Sequence, residues 1–241
     1  MPDRPWRFNP RPRIEAMTFA GGASCLVVDD ALADPHALRD YAIARRAEFA
    51  AAPTNAYPGI ELPAEAGLEQ ALAEVFRLHV RPRLPVRRLV GLYARLAMVT
   101  LAPSQLQPRQ TIPHRDSAWV DPAHAIAASV LYLFEDAALG GTGFYVPKRP
   151  RPEVEQLVHA ASTLPAADFA TRFDVPCAYP AESNAWFERV GIVAPRFNRL
   201  VFYDGRLFHS GDIPHPERLT DDPASGRLTL NGFFTCTRDA V

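Results

Sequence analysis

Six short runs restrict the fold of this chain more than anything else in it: ARLAMVTLA (94–102), AASVLYLFED (127–136), GTGFYV (141–146), NRLVFYD (198–204), RLFHSGD (206–212) and RLTLNGFFT (227–235). Each is rich in Val, Leu, Phe, Tyr and Thr, and each is bounded by proline, glycine or acidic turn residues. Runs of this length and composition read as strands, because branched and aromatic side chains fit a pleated, half-buried surface. The second half of the chain is therefore β-rich. One interval interrupts the rhythm. From about 148 to 197 the sequence reads as helical and irregular, with RPEVEQLVHAAS (151–162) and AADFATRF (166–173) as its helices.

The N-terminal part has a different period. The first 15 residues hold four prolines and four arginines and are expected to form an extended arm. SCLVVDD (24–30) reads as a buried strand. Asp34 before Pro35 marks a helix start, with Leu38, Tyr41, Ala42 and Phe49 on one face. AAPTNAYPGIELP (51–63) reads as a loop. A second helix is expected from about 64 to 80, with Leu68, Leu72, Val75, Phe76 and His79 on one stripe, ended by Pro82 and Pro85. No repeat or boundary divides the 241 residues. The expectation is one domain: an arm (1–15), a strand and helical support (16–90), and a β core (91–241) with an insertion at about 148–197.

Several classes of function are disfavoured. The net charge of -1 gives no reason to expect nucleic acid or a membrane as partner. No apolar stretch approaches the ~20 residues that span a bilayer, and the basic start lacks the apolar core of a secretory signal. Cys25, Cys177 and Cys236 are few and scattered and read as reduced thiols. A cytoplasmic protein is expected.

The chemistry concentrates at IPHRDS (112–117). His114 and Asp116 stand two apart, so on a strand they point to one face. Together they can grip an ion, or they can make a local hydrogen bond in a turn. A metal needs a further ligand, and His209, between two expected core strands, is the best candidate; His215, flanked by prolines in IPHPE, is its rival. His36, His79, His124 and His159 read as helix or turn residues. Two histidines and a carboxylate make a facial triad with open positions, a set that suits Fe(II) better than structural zinc. If a dicarboxylate such as 2-oxoglutarate binds beside the metal, a guanidinium matches its far end. Arg227 opens the last strand, Thr229 shares its face, and Tyr132 offers a phenol. Arg115, Trp119 and Phe144 are candidates to line a substrate pocket, and the long insertion is a candidate lid.

In this order the residues resemble a known family. His114-Arg115-Asp116, Tyr132-Leu133, Gly140-Gly141-Thr142, Arg199-Leu200-Val201-Phe202, His209 and Arg227 follow the pattern of the prolyl-hydroxylase-like branch of the Fe(II)/2-oxoglutarate-dependent dioxygenases, over roughly 96–236. LVVDDALADPHAL (26–38) is similar to the strand and helix that often precede that core, and PHRDS and YPGIE are similar to a bacterial group of dioxygenase-like proteins. The resemblance implies an α+β fold, a double-stranded β-helix (jelly roll) with flanking N-terminal helices. It implies Fe(II) on His114, Asp116 and His209, and 2-oxoglutarate held by Arg227 and Tyr132. It implies a hydroxylase that uses molecular oxygen on an amino-acid, peptide or small-metabolite substrate. Two other readings stay open: a metal-binding or regulatory relative without turnover, and a cupin-like metalloenzyme that does not use 2-oxoglutarate.

Overall fold

The computed structural model describes residues 6–51, 56–116, 121 and 123–238. They form two antiparallel sheets with helices on both outer faces. The larger sheet has the order β1-β2-β8-β5-β10-β4-β3. Its strands are β1 (Ile14–Thr18), β2 (Ser24–Val28), β3 (Gly59–Pro63), β4 (Leu89–Val99), β5 (His124–Tyr132), β8 (Leu200–Asp204) and β10 (Leu228–Thr237). The smaller has the order β7-β6-β9, from β6 (Thr142–Pro147), β7 (Phe187–Val193) and β9 (Phe208–Gly211).

Alternation along the strands builds two cores from one sheet. On β10, Leu228, Leu230 and Phe234 face outward onto α1 (Pro35–Ala44) and α2 (Ala66–Val75). There Leu38, Leu68, Leu72 and Phe76 complete a fully buried layer. The opposite face meets the small sheet, where Ala128, Tyr132, Val201 and Tyr203 pack with Phe144 and Val193. A third cluster lies beyond the small sheet. Phe187, Phe208 and Tyr145 meet Leu157, Phe169 and Phe173 from α3 (Arg151–Thr163) and α4 (Ala166–Phe173).

The helices form for the reasons the sequence offers. Asp34 accepts a hydrogen bond from the Ala37 amide at 3.0 Å, and Pro35 occupies the first turn, where its missing N–H costs nothing. After α2 the backbone widens into a π turn over Phe76–Val80. One extra residue in that turn rotates the apolar stripe, so Val80 is buried where His79 was expected and His79 stays half-buried.

Three strands depart from the sequence reading. Residues 14–18, at the end of the expected arm, pair with β2 as an edge strand. The expected loop at 51–63 contains β3, paired with β4. The interval read as helical and irregular contains β7, the partner of β6.

Candidate metal centre

The three metal candidates come from two backbone segments bonded to each other. The His114 amide donates to the His209 carbonyl at 3.0 Å, and the His209 amide donates to the His114 carbonyl at 2.9 Å. Two residues on, the Asp116 amide donates to Gly205 O at 2.9 Å, in the turn between β8 and β9. That turn is closed by Leu207 N donating to Asp204 O, and by Asp204 accepting from the Arg206 amide. Position 205 requires glycine: a Cβ there would lie 2.8 Å from Ile126 O and 3.2 Å from the Asp116 Cβ.

The side chains converge. One ligand atom from each of His114, Asp116 and His209 lies within 4.8 Å of the other two. His209 Nε2 stands 3.4 Å from Asp116 Oδ2, and His114 Nε2 stands 3.7 Å from Asp116 Oδ1. His209 is buried against the Tyr203 ring, with centroids 4.6 Å apart. Its Nδ1 is 3.0 Å from Leu207 O. A carbonyl only accepts, so Nδ1 carries a proton and Nε2 is the nitrogen turned toward Asp116 and placed to ligate. Loss of water around the ring where it meets the site, then the neighbouring His209, holds His114 down at about 4 although half of its side chain stays exposed; Asp116 opposes this and the Arg95 charge adds to it. His114 is therefore neutral at pH 7, the form that binds metals.

These facts test the fit of a cation. Asp116 Oδ2 is buried with no hydrogen-bond partner. It faces Nε2 of His209 at 3.4 Å, while Nε2 of His114 stands 3.7 Å from the other carboxylate oxygen. Three ligand-type atoms that converge on one point, with Asp116 Oδ2 left out of any hydrogen bond, provide a place for a cation between them. The donor set is oxygen and nitrogen without thiolate, and half of the His114 side chain is exposed, so one side is open. The residues fit a divalent ion of the Fe(II) type.

The other candidates divide into groups. Tyr132 and Thr229 are direct cross-strand partners, and Arg227 lies just before the same strand. The Arg227 guanidinium is buried and donates from Nε to Leu139 O and Gly140 O at 3.1 Å each, and from Nη2 to Gly141 O at 2.7 Å. No carboxylate pairs with it among the described residues. The two glycines make this carbonyl cradle possible. Gly140 has a φ of 81°, and a Cβ at 140 or 141 would come within 1.7 or 2.0 Å of the Asp212 or Val193 carbonyl oxygen. The Tyr132 hydroxyl lies 2.7 Å from Thr142 Oγ1, and burial pushes it up to about 12, so it stays protonated. Thr229 Oγ1 donates to Ala97 O at 3.3 Å.

Arg115 is exposed, its guanidinium over the Phe208 ring at 4.7 Å. Phe144 pairs in register with His209 but is fully buried against Phe19 and Tyr203. Trp119 lies outside the described residues. His215 pairs with Glu217 on the surface rather than joining the triad. The sequence reading missed Tyr203, which braces His209, and a buried Arg95–Glu61 pair at 2.8 Å. Tyr203 gave a signal, a tyrosine at strand alternation just before the distal histidine. Arg95 reads as an ordinary polar residue, and its partner is on a strand taken for a loop.

Site and fold together define a candidate metal-binding protein built on paired antiparallel sheets. More particularly, residues 10–234 match the model described as "Family of unknown function (DUF6445)", and the chain belongs to that family. No curated protein matches it. Solved structures with distant likeness include EvdO2 from Micromonospora carbonacea var. aurantiaca (12% identity, 90% of this chain and 88% of that one, TM-score 0.42). SnoN, a non-heme alpha ketoglutarate dependent epimerase from nogalamycin biosynthesis, shares 16% identity over 89% and 80%, with a TM-score of 0.47. HygX from Streptomyces hygroscopicus, solved with nickel, 2-oxoglutarate and hygromycin B, shares 13% identity over 89% and 83%, with a TM-score of 0.46. At such distances a likeness fixes no activity.

Proposed function

We propose that this protein is an Fe(II)- and 2-oxoglutarate-dependent oxygenase, a hydroxylase of a small-molecule or peptide substrate. The observation that carries this is the buried, unpartnered Asp116 Oδ2 facing two imidazoles. The strand order β4-β10-β5-β8, packed against β7-β6-β9 with His114 bridged to His209, supports the double-stranded β-helix of such enzymes.

His114, Asp116 and His209 would hold the metal, which, with 2-oxoglutarate and oxygen, supplies the oxidising chemistry. The chain's own residues bind and orient. His209 is kept in the ligating tautomer by Leu207 O. Arg227 supports a dicarboxylate co-substrate because it is a buried cation held by three carbonyls and set over the Phe134 ring, with no carboxylate in an ion pair among the described residues and Nη1 left over by its three hydrogen bonds. Tyr132 and Thr229 lie beside it and add hydroxyls of fixed protonation. Trp119 and Arg115, near the triad in sequence, remain substrate-lining candidates; Phe144 would have to move to touch a ligand.

Anaerobic optical titration of the Fe(II)-loaded protein with 2-oxoglutarate tests this. A weak visible charge-transfer band is expected, lost in His209→Ala and weakened in Arg227→Met. Bound iron without a band would favour a cupin-like metalloenzyme or a non-catalytic metal module. No bound iron would end the metal reading.

A further inference from the structure

We propose that Arg95, Glu61 and Asn231 form a binding subsite for a substrate head group of no net charge that both donates and accepts hydrogen bonds: an amide or an α-amino acid zwitterion. The proposal rests on the oxygenase reading and assigns its substrate class.

Arg95 and Asn231 are direct partners in the β10–β4 register, so their side chains stand side by side on the face turned toward the small sheet. Glu61, opposite Ala97 on β3, reaches the same face and pairs with Arg95 Nη1 at 2.8 Å. The guanidinium lies between the Tyr57 and Phe233 rings, with centroids 5.1 and 5.2 Å away, which fixes its plane. Two atoms are left over: Arg95 Nε, a donor, and Asn231 Oδ1, an acceptor, both buried without a hydrogen-bond partner. Buried polar groups are ordinarily paired, so this adjacent donor and acceptor call for a ligand carrying the complementary acceptor and donor.

Charge decides the class. Arg95 and Glu61 neutralise each other, so a lone carboxylate or ammonium would enter as an uncompensated charge. An amide or an amino-acid head brings both polarities and none in excess. Location supports the role. Asn231 lies opposite Val130 in the β10–β5 register, Val130 packs against the cluster that holds Phe144, and Phe144 is the in-register partner of His209, so the subsite lies on the face turned toward the metal centre. It is separate from Arg227, since Thr229 and Ala97 form the intervening rung of the ladder. Two residues from Arg95 on the same face, Tyr93 stacks on Phe233 at 6.1 Å, and Tyr93 is 44% exposed. That aromatic shelf would carry the apolar body of the substrate.

Four probes sharing one branched body test the head group by titration calorimetry on the full chain loaded with Ni(II): L-leucine, 4-methylpentanamide, 4-methylpentanoate and 3-methylbutylamine. Leucine or the amide should bind at least tenfold more tightly than the anion and the cation. Asn231→Leu should weaken that binding by about tenfold or more with Ni(II) affinity unchanged, the scale of one lost buried hydrogen bond. Asn231→Asp should shift preference toward 3-methylbutylamine, which a merely structural asparagine would not do. The proposal is overturned if none of the four binds at millimolar concentration, if 4-methylpentanoate binds best, or if Asn231→Leu binds as wild type does. Loss of Ni(II) or 2-oxoglutarate binding by the wild-type protein would instead sink the oxygenase reading, and is measured separately.

Discussion

Replacing Asp116 with asparagine should make the metal-free protein more stable while abolishing metal binding. In the absence of an ion the carboxylate is buried and faces two imidazoles, with Oδ2 unpartnered. Asparagine keeps the shape, removes the buried charge and offers an N–H to His209 Nε2, which lies 3.4 Å from the present Oδ2. An unsatisfied buried polar group costs about 1–3 kcal/mol, and more when charged. For a chain of this size each kcal/mol moves Tm by about 2–4 °C, so the variant should melt roughly 2–12 °C above wild type. Wild type should gain about 2.7 kcal/mol from Ni(II) at one hundred times its Kd, which the variant should not. Thermal melts at pH 8, with EDTA and then with Ni(II), give all four values. A variant that melts below wild type in EDTA, or that gains as much from Ni(II), would refute the argument that these acceptors are arranged for a cation.

Further predictions concern the frame of the site. Gly205→Ala should push Asp116 away from the turn and weaken Ni(II) binding about tenfold or more, with stability lowered by about 1–3 kcal/mol from overpacking; an unchanged affinity would show that the turn does not position the ligand. His114 has a folded pKa near 4 against about 6.5 unfolded. The unfolded chain thus takes up its proton first, and stability is lost as pH falls from about 6.5 toward 4. His114→Gln should flatten that part of the metal-free stability profile, and a profile of unchanged slope would contradict the shift. Phe234 is fully buried and stacks on Phe76 at 4.1 Å, so Phe234→Ala should cost about 3–5 kcal/mol in denaturant unfolding; a loss below ~1 kcal/mol would mean that the layer collapses around the gap.

What could be read from the sequence was whatever is local or strongly periodic. β5, β8 and β10 are apolar runs between turns, and each is a central strand of the large sheet. The grouping of His114, Asp116 and His209 was legible because the first two share a short segment and His209 follows a strand. The missed strands lack that contrast. β3 is five residues between prolines, and its inward residue is Glu61, whose burial makes sense only beside Arg95 on another strand. β7 carries Glu188, Arg189 and Gly191 and is mostly half-exposed, so neither composition nor alternation marks it. β1 follows a proline-rich segment and is an edge, which tolerates polar residues. The same limit hid the polar cluster at Arg95. Each member is unremarkable alone, and only strand register brings them together.

The mutual hydrogen bonds of His114 and His209 also make the site a seam. The segment that carries His114 joins the small sheet through this bridge, so an ion held by both side chains would act as a clasp on the edge where that sheet closes. Losing the ion and opening the edge would then be coupled events. The amide hydrogens at 114 and 209 would exchange with solvent slowly when the clasp is shut and faster when it is open. Occupancy could thus be followed at two backbone positions, with no substrate present.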